Sequence, residues 1–163
     1  MKQQKKITSI CVWIAIILFV LRCIISWESI LEGLYEKFLW RLNPFESTPK
    51  LKKRYVGKLK SGYDHIERDA SLEIKQTLLS VHVTLATNES KSKSLSASID
   101  DILGEMQLTY CYLNTPKSEY RDRSEIHYGT ATLSIANPQI LEGQYYTDRK
   151  TNGDMLFTAE NAQ

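Results

Sequence analysis

Two kinds of hydrophobic patterning divide the chain. From Ile7 to Trp27 the run ITSICVWIAIILFVLRCIISW is almost uninterrupted in its apolar character, and at about 1.5 Å per residue it reaches about 30 Å, one hydrocarbon core. Arg22 is its only charge and sits near the end, where a long side chain reaches the headgroups. Trp27 suits an interfacial anchor. Residues 1–27 therefore read as a transmembrane anchor. A cleaved secretory signal is the rival, with MKQQKK as its basic start, but the run exceeds the roughly 7 to 15 apolar residues of such a segment and no small-x-small cleavage site follows. Beyond it Trp27, Ile30, Leu31, Leu34, Tyr35, Phe38, Leu39 and Leu42 recur at helical spacing. This predicts an amphipathic helix over 28–43 that stops at Asn43-Pro44, since proline disfavours a helical residue before it. Its apolar stripe fits the membrane interface or copies of itself.

After a linker over 44–53 that contains Pro49, the period changes to two. Short runs rich in β-branched and aromatic residues alternate with turn residues from 54 to 163. RYVGKLKS, SLEIKQ, LLSVHVTLAT, ESKSKSLSASI, QLTYCYL, EIHYGTATLSI and the two halves of LEGQYYTDRKTNGDMLF give about eight strands. In LLSVHVTLAT, Leu79, Val81, Val83 and Leu85 alternate with Ser80, His82 and Thr84. In ESKSKSLSASI the serines 90, 92, 94, 96 and 98 share one face and Leu95, Ala97 and Ile99 the other, which reads as a solvent face over an inner one. NTPKSEYRDRSE reads as a mobile loop. Asn152-Gly153 is a hairpin signal, both residues tolerating positive φ. The fold class is all-β, a small antiparallel barrel of about eight strands, whose interior holds side chains or one small ligand.

Composition narrows the function. The 163 residues carry a formal net charge of only +2 with Lys and Arg dispersed, which argues against DNA or RNA as a partner. The three cysteines have neither CxxC spacing nor an even count, and His65, His82 and His127 are too scattered for a metal site. No carboxylate pair or nucleophile beside a base stands out, so an enzyme is not expected and no cofactor is implied. Lys2, Lys5 and Lys6 favour an inside N-terminus, whereas Lys50, Lys52, Lys53, Arg54, Lys58 and Lys60 favour an inside barrel.

The strand sequences SLEIKQTLLSVHVTLATNESKSKSLSASI, LTYCYLN, IHYGTATLSI and LEGQYYTDRKTNGDM, in that order, resemble the CBASS membrane effectors with a β-barrel cyclic-nucleotide receptor domain. The most specific part is LxGxYYTxRxTxG, carried by Leu141, Gly143, Tyr145, Tyr146, Thr147, Arg149, Thr151 and Gly153. CBASS is a bacterial cyclic-oligonucleotide antiphage signalling system. The resemblance implies a barrel that binds a cyclic dinucleotide, protomers that self-associate on binding it, and loss of inner-membrane integrity that ends the infection. Such effectors typically carry two transmembrane helices, whereas this chain has one clear span and an amphipathic segment. The resemblance implies an inner-membrane location, and a messenger made in the cytosol implies a cytoplasmic barrel.

A cyclic dinucleotide needs cations or amide donors for two phosphates, aromatic faces for bases, and amides or hydroxyls for base edges. On that ground Gln76, Thr77, Ser94, Tyr112, Tyr146, Thr147 and Arg149 are the candidate ligand-binding residues. Each has a structural alternative. Tyr145 and Tyr146 would be strand aromatics facing opposite ways, Arg149 a solvated hairpin residue, Gln76 an exposed turn residue, and Ser94 part of a solvent face. A lipocalin-like carrier of apolar ligands, or a docking module on the outer side of the membrane, is the competing function; the first predicts a mostly apolar interior.

Overall fold

The computed structural model describes residues 13, 14, 16–23, 27, 48–77 and 80–160. The chain divides into two compact units, Met1–Phe45 and Glu46–Gln163. In the first, every described residue is helical and exposed, from Trp13 through Phe19 to Trp27. Among the described residues no helix is long and apolar enough to cross a membrane. The span expected over 7–27 lies partly, and the amphipathic helix over 28–43 wholly, outside the described residues.

The second unit is a closed eight-stranded barrel in which each strand pairs antiparallel with its neighbours in sequence and β1 pairs with β8. The strands are β1 (Arg54–Ser61), β2 (Glu67–Gln76), β3 (Val81–Thr87), β4 (Ser90–Ile102), β5 (Glu105–Pro116), β6 (His127–Asn137), β7 (Ile140–Thr147) and β8 (Asn152–Ala159). Alternation drives the closure: Gly153, Met155, Phe157 and Ala159 of β8 point inward while their neighbours face out. Closure also removes the edges that an open sheet would present.

The two ends of the barrel are filled differently. At the far end, where β1 begins and β8 ends, Tyr55, Leu72, Leu108, Leu133, Leu141 and Phe157 form a solid core with side chains shut off from solvent. The chain entering β1 is tied to that end. Leu51 joins the core, its N–H donates to Gln76 Oε1 at 3.0 Å, and Gln76 Nε2 donates to the Pro49 carbonyl at 3.2 Å. The expected linker over 44–53 is thus fastened to the barrel from Pro49 onward. The other end, where β1, β3, β5 and β7 terminate, is inward-lined by smaller and more polar residues, and a cavity opens there.

Glycine permits the curvature at Gly57 and Gly143. A Cβ at Gly57 would strike the Leu156 carbonyl across β8, and one at Gly143 the Thr132 carbonyl across β6. These are sites where only a bare backbone lets strands approach.

Three local expectations are corrected. The serine face of β4 does not face solvent throughout: a bulge at Leu95, between Ser94 and Ser96, reverses the alternation. Ser92 is buried and Ser94 half-buried ahead of it, whereas Ala97 and Ile99 turn inward after it and Leu95 is left exposed. The last hairpin does not turn on Asn152-Gly153, which belong to β8. Its loop is Asp148 to Thr151, closed by Thr147 N–H to the Thr151 carbonyl at 2.9 Å, with Lys150 the residue at positive φ, 62°. The segment expected as a mobile loop begins later, because β5 runs on through Pro116, and it contains a short 3-10 turn at Ser118–Tyr120.

Candidate functional site: the cavity at the open end of the barrel

The cavity has a volume of about 350 Å³, within the range of small-molecule sites. Its floor is Leu59, Leu85, Tyr110 and Met155, and its walls carry Ser92, Asn114, His127, Thr147 and the rings of Tyr112 and Tyr145. Two tyrosines fit inward because glycines face them. Tyr112 lies opposite Gly129 and Tyr145 opposite Gly153. A Cβ on Gly153 would sit 2.5 Å from the Tyr145 ring, and one on Gly129 would meet the Tyr112 phenol.

Charge is confined to the rim. The Arg68 guanidinium donates to both oxygens of Asp64, at 2.6 and 3.2 Å, and reaches Glu89 at 3.4 Å. Arg123 donates to the same Glu89 at 3.1 Å and stacks over the Tyr120 ring at 4.7 Å. These contacts join the β1–β2, β3–β4 and β5–β6 loops. The hydrogen bonds from Arg68 hold the Asp64 carboxyl well below the usual carboxylate range. Arg149, on the β7–β8 loop, differs: it lines the cavity and has no carboxylate partner among the described residues. Its positive charge reaches Tyr112 and His127. Burial first, and then that charge, lower the pKa of His127, although a hydrogen bond to the Glu125 carbonyl works the other way. Desolvation keeps the phenols of Tyr110, Tyr112 and Tyr145 protonated by raising their pKa.

The structure brings together three of the seven sequence candidates, Tyr112, Thr147 and Arg149. Thr147 bonds its hydroxyl to that of Thr151 at 2.7 Å across the turn that carries Arg149. The other four lie elsewhere. Gln76 does not mark a bulge into the barrel mouth; it ends β2 at the far end and holds residues 49–51. Thr77 is there too, its hydroxyl bonded to Ser80. Ser94 accepts a hydrogen bond from the Val83 N–H at 2.9 Å, in line with the ladder that ends at Lys93. Tyr146 points outward and is 60% exposed, while Tyr145 is the inward ring, at 9%.

The seven candidates leave out Ser92, Asn114 and His127, and Arg68 and Arg123 at the rim, all of which line the cavity. The signal for the first three was available. They are inward-parity positions within three residues of strand ends that a meander places at one end of the barrel, whereas the two arginines are fixed by loop contacts that no periodicity encodes.

The lining excludes a purely apolar pocket: hydroxyls, an amide, an imidazole and five charged residues surround a small apolar floor. Among the described residues no cluster of His, Cys, Asp and Glu could hold a metal ion. The arrangement suits an anionic ligand with aromatic faces and polar edges.

Residues 46–159 match the model of the family described as Cap15, cyclic dinucleotide receptor domain. The chain belongs to that family. It is also similar to CD-NTase-associated protein 15 of Staphylococcus schleiferi, 30% identical over 164 aligned positions that cover 88% of this chain and 90% of the relative. The matched region takes in the whole barrel and every residue of the cavity wall.

Proposed function

We propose that this chain is a CBASS effector that captures a cyclic dinucleotide in the open end of its barrel. The observation that carries the reading is Arg149: an arginine without a carboxylate partner among the described residues, lining a cavity beside Tyr112, Tyr145, Asn114 and His127. Guanidinium groups bind phosphate by charge-assisted hydrogen bonds, and tyrosine rings stack on bases. Membership of the cyclic dinucleotide receptor family supports the same ligand class. The polar wall disfavours a lipocalin-like carrier of apolar ligands.

The effector half rests on the N-terminal unit. Its run from Ile7 to Trp27 is long and apolar enough in sequence for an anchor, and anchored protomers share a plane, which raises their effective concentration. Ligand binding then drives self-association, and the assembled anchors disrupt the inner membrane, with the barrel on the cytoplasmic side. No chemical step by the protein is required.

Calorimetric titration of the detergent-solubilised full chain with a set of cyclic dinucleotides and a linear dinucleotide tests the receptor half. Selective heat with a cyclic ligand, weakened about tenfold to a hundredfold in Arg149→Ala, is expected. No heat from a folded wild-type protein would overturn the reading. For the effector half, a reporter fused after Gln163 should be active only in the cytosol, and periplasmic activity would refute that orientation.

A further inference from the structure

The cyclic-dinucleotide reading leaves open what selects the base, and one pair of side chains in the cavity has the chemistry to do so. Asn114 of β5 and His127 of β6 are directly opposite in register, point inward and are 7% exposed each. Facing cross-strand residues hold their Cβ atoms about 5 Å apart, close enough for two side chains to reach one base.

Each side chain is fixed by a second contact that defines what it still offers. His127 Nδ1 lies 2.8 Å from the Glu125 carbonyl oxygen. A carbonyl only accepts, so Nδ1 carries the proton and Nε2 is left with a lone pair. Desolvation, and after it the Arg149 charge, favour the neutral ring and outweigh the Glu125 hydrogen bond and Asp148, which act the other way. The Ser92 hydroxyl donates to Asn114 Oδ1 at 2.9 Å, which occupies one of the two lone pairs of that oxygen, fixes the orientation of the amide and leaves its NH2 as donor. Among the described residues neither Asn114 Nδ2 nor His127 Nε2 has a hydrogen-bond partner. Among the described residues no buried side-chain polar atom lacks a partner, so both atoms are open to the cavity that their residues line.

We infer that Asn114 and His127 together read the edge of one base of the ligand, His127 Nε2 accepting a base N–H and the Asn114 amide donating to the adjacent lone pair. The inference rests on the proposed function. An adenine amino group beside a ring nitrogen, or a guanine N–H beside its carbonyl, satisfies the pair, whereas an edge of the wrong order leaves a donor facing a donor. Tyr112, two residues before Asn114 on the same face of β5, supplies a ring next to that edge. Arg149, whose charge reaches both Tyr112 and His127, places the phosphate subsite beside it.

The test is a binding matrix on the full chain in detergent, using cyclic di-adenylate, cyclic di-guanylate, cyclic adenylate–guanylate and cyclic uridylate–adenylate as probes. The wild type should rank these ligands. His127→Phe should weaken the preferred one by about tenfold to a hundredfold, the loss expected for one buried hydrogen bond, and flatten the ranking. His127→Gln restores an acceptor and should keep the ranking. Asn114→Asp retains the size and the Ser92 contact but replaces donor by acceptor, and should also flatten or invert the ranking, which guards against misfolding of the phenylalanine variant. Arg149→Ala should weaken all four probes alike. If His127→Phe and Asn114→Asp both fold and keep the wild-type ranking, the base-reading assignment is overturned while the receptor reading stands. If the folded wild type binds none of the four, both fall together.

Discussion

The Tyr112 phenol lies over Gly129, its cross-strand partner, in the volume that a Cβ would occupy. The atoms in conflict are the far end of a side chain, so the ring can swing away. At Gly143 the conflict is with the Thr132 carbonyl and the Leu133 Cα, at 2.9 Å for the latter, and backbone cannot yield so cheaply. Gly129→Ala should therefore leave a folded barrel, at a cost of about 1 kcal/mol or less, but displace Tyr112 and weaken ligand binding. Gly143→Ala should cost about 1–3 kcal/mol or more, as overpacking does. Urea unfolding of both variants beside a binding titration checks this; equal stability losses would show that the two glycines have one role.

Much of the barrel was legible in the sequence because one face of every strand is buried, and burial writes itself as alternation. Val83 and Leu85 in β3, alternating with His82 and Thr84, gave both the strand and its inward face. The bulge at Leu95 was not legible, since a serine at every second position continues unchanged through the reversal and only pairing with Tyr112 and Cys111 exposes the extra residue. Of the site, Arg149, Thr147 and Tyr112 followed from residue type. Tyr145 and Tyr146 were confounded because adjacent strand residues face opposite ways, and composition does not say which is inside. Asn114 and His127 become a pair only through the β5–β6 register, a non-local fact.

The last hairpin offers a test of its corrected turn. Lys150 has φ of 62°, in the left-handed region, whereas Asn152 is an ordinary strand residue. A side chain in that region costs about 1–2 kcal/mol, partly offset by the extra unfolded-state freedom of glycine. Lys150→Gly should thus raise the melting temperature slightly, Lys150→Val should lower it, and Asn152→Gly should give no gain. A stabilising Asn152→Gly would return the turn to Asn152-Gly153.

His127 makes stability depend on pH in a definite direction. Its folded pKa is lowered below 6.5, chiefly by burial. The unfolded chain therefore binds a proton more readily than the folded one, and stability rises with pH in the window just below 6.5. The contribution is fully present above the unfolded value and is lost as acid protonates the ring. Melting curves between pH 8 and 5 should show wild type losing stability relative to His127→Gln as pH falls through that window. A widening advantage of wild type in acid would mean that the ring is held charged, and would remove the acceptor from the cavity wall.

Ser92 and Asn114 share the buried hydrogen bond that orients the amide, at 5% and 7% exposure. Ser92→Ala removes the donor and leaves Asn114 Oδ1 without its partner, a loss of about 1–3 kcal/mol. Asn114→Leu removes the acceptor, but it leaves the Ser92 hydroxyl without that partner. The double variant has neither orphan, so its destabilisation should fall short of the sum of the singles by about 0.5 kcal/mol or more, the coupling expected for residues in contact. Denaturant midpoints at unchanged slope would measure it. Ser92→Ala should also reduce ligand discrimination, because an amide released from Ser92 can rotate and present its oxygen to the cavity. Additive stabilities together with unaltered discrimination would mean that the Asn114 amide is oriented by something other than Ser92.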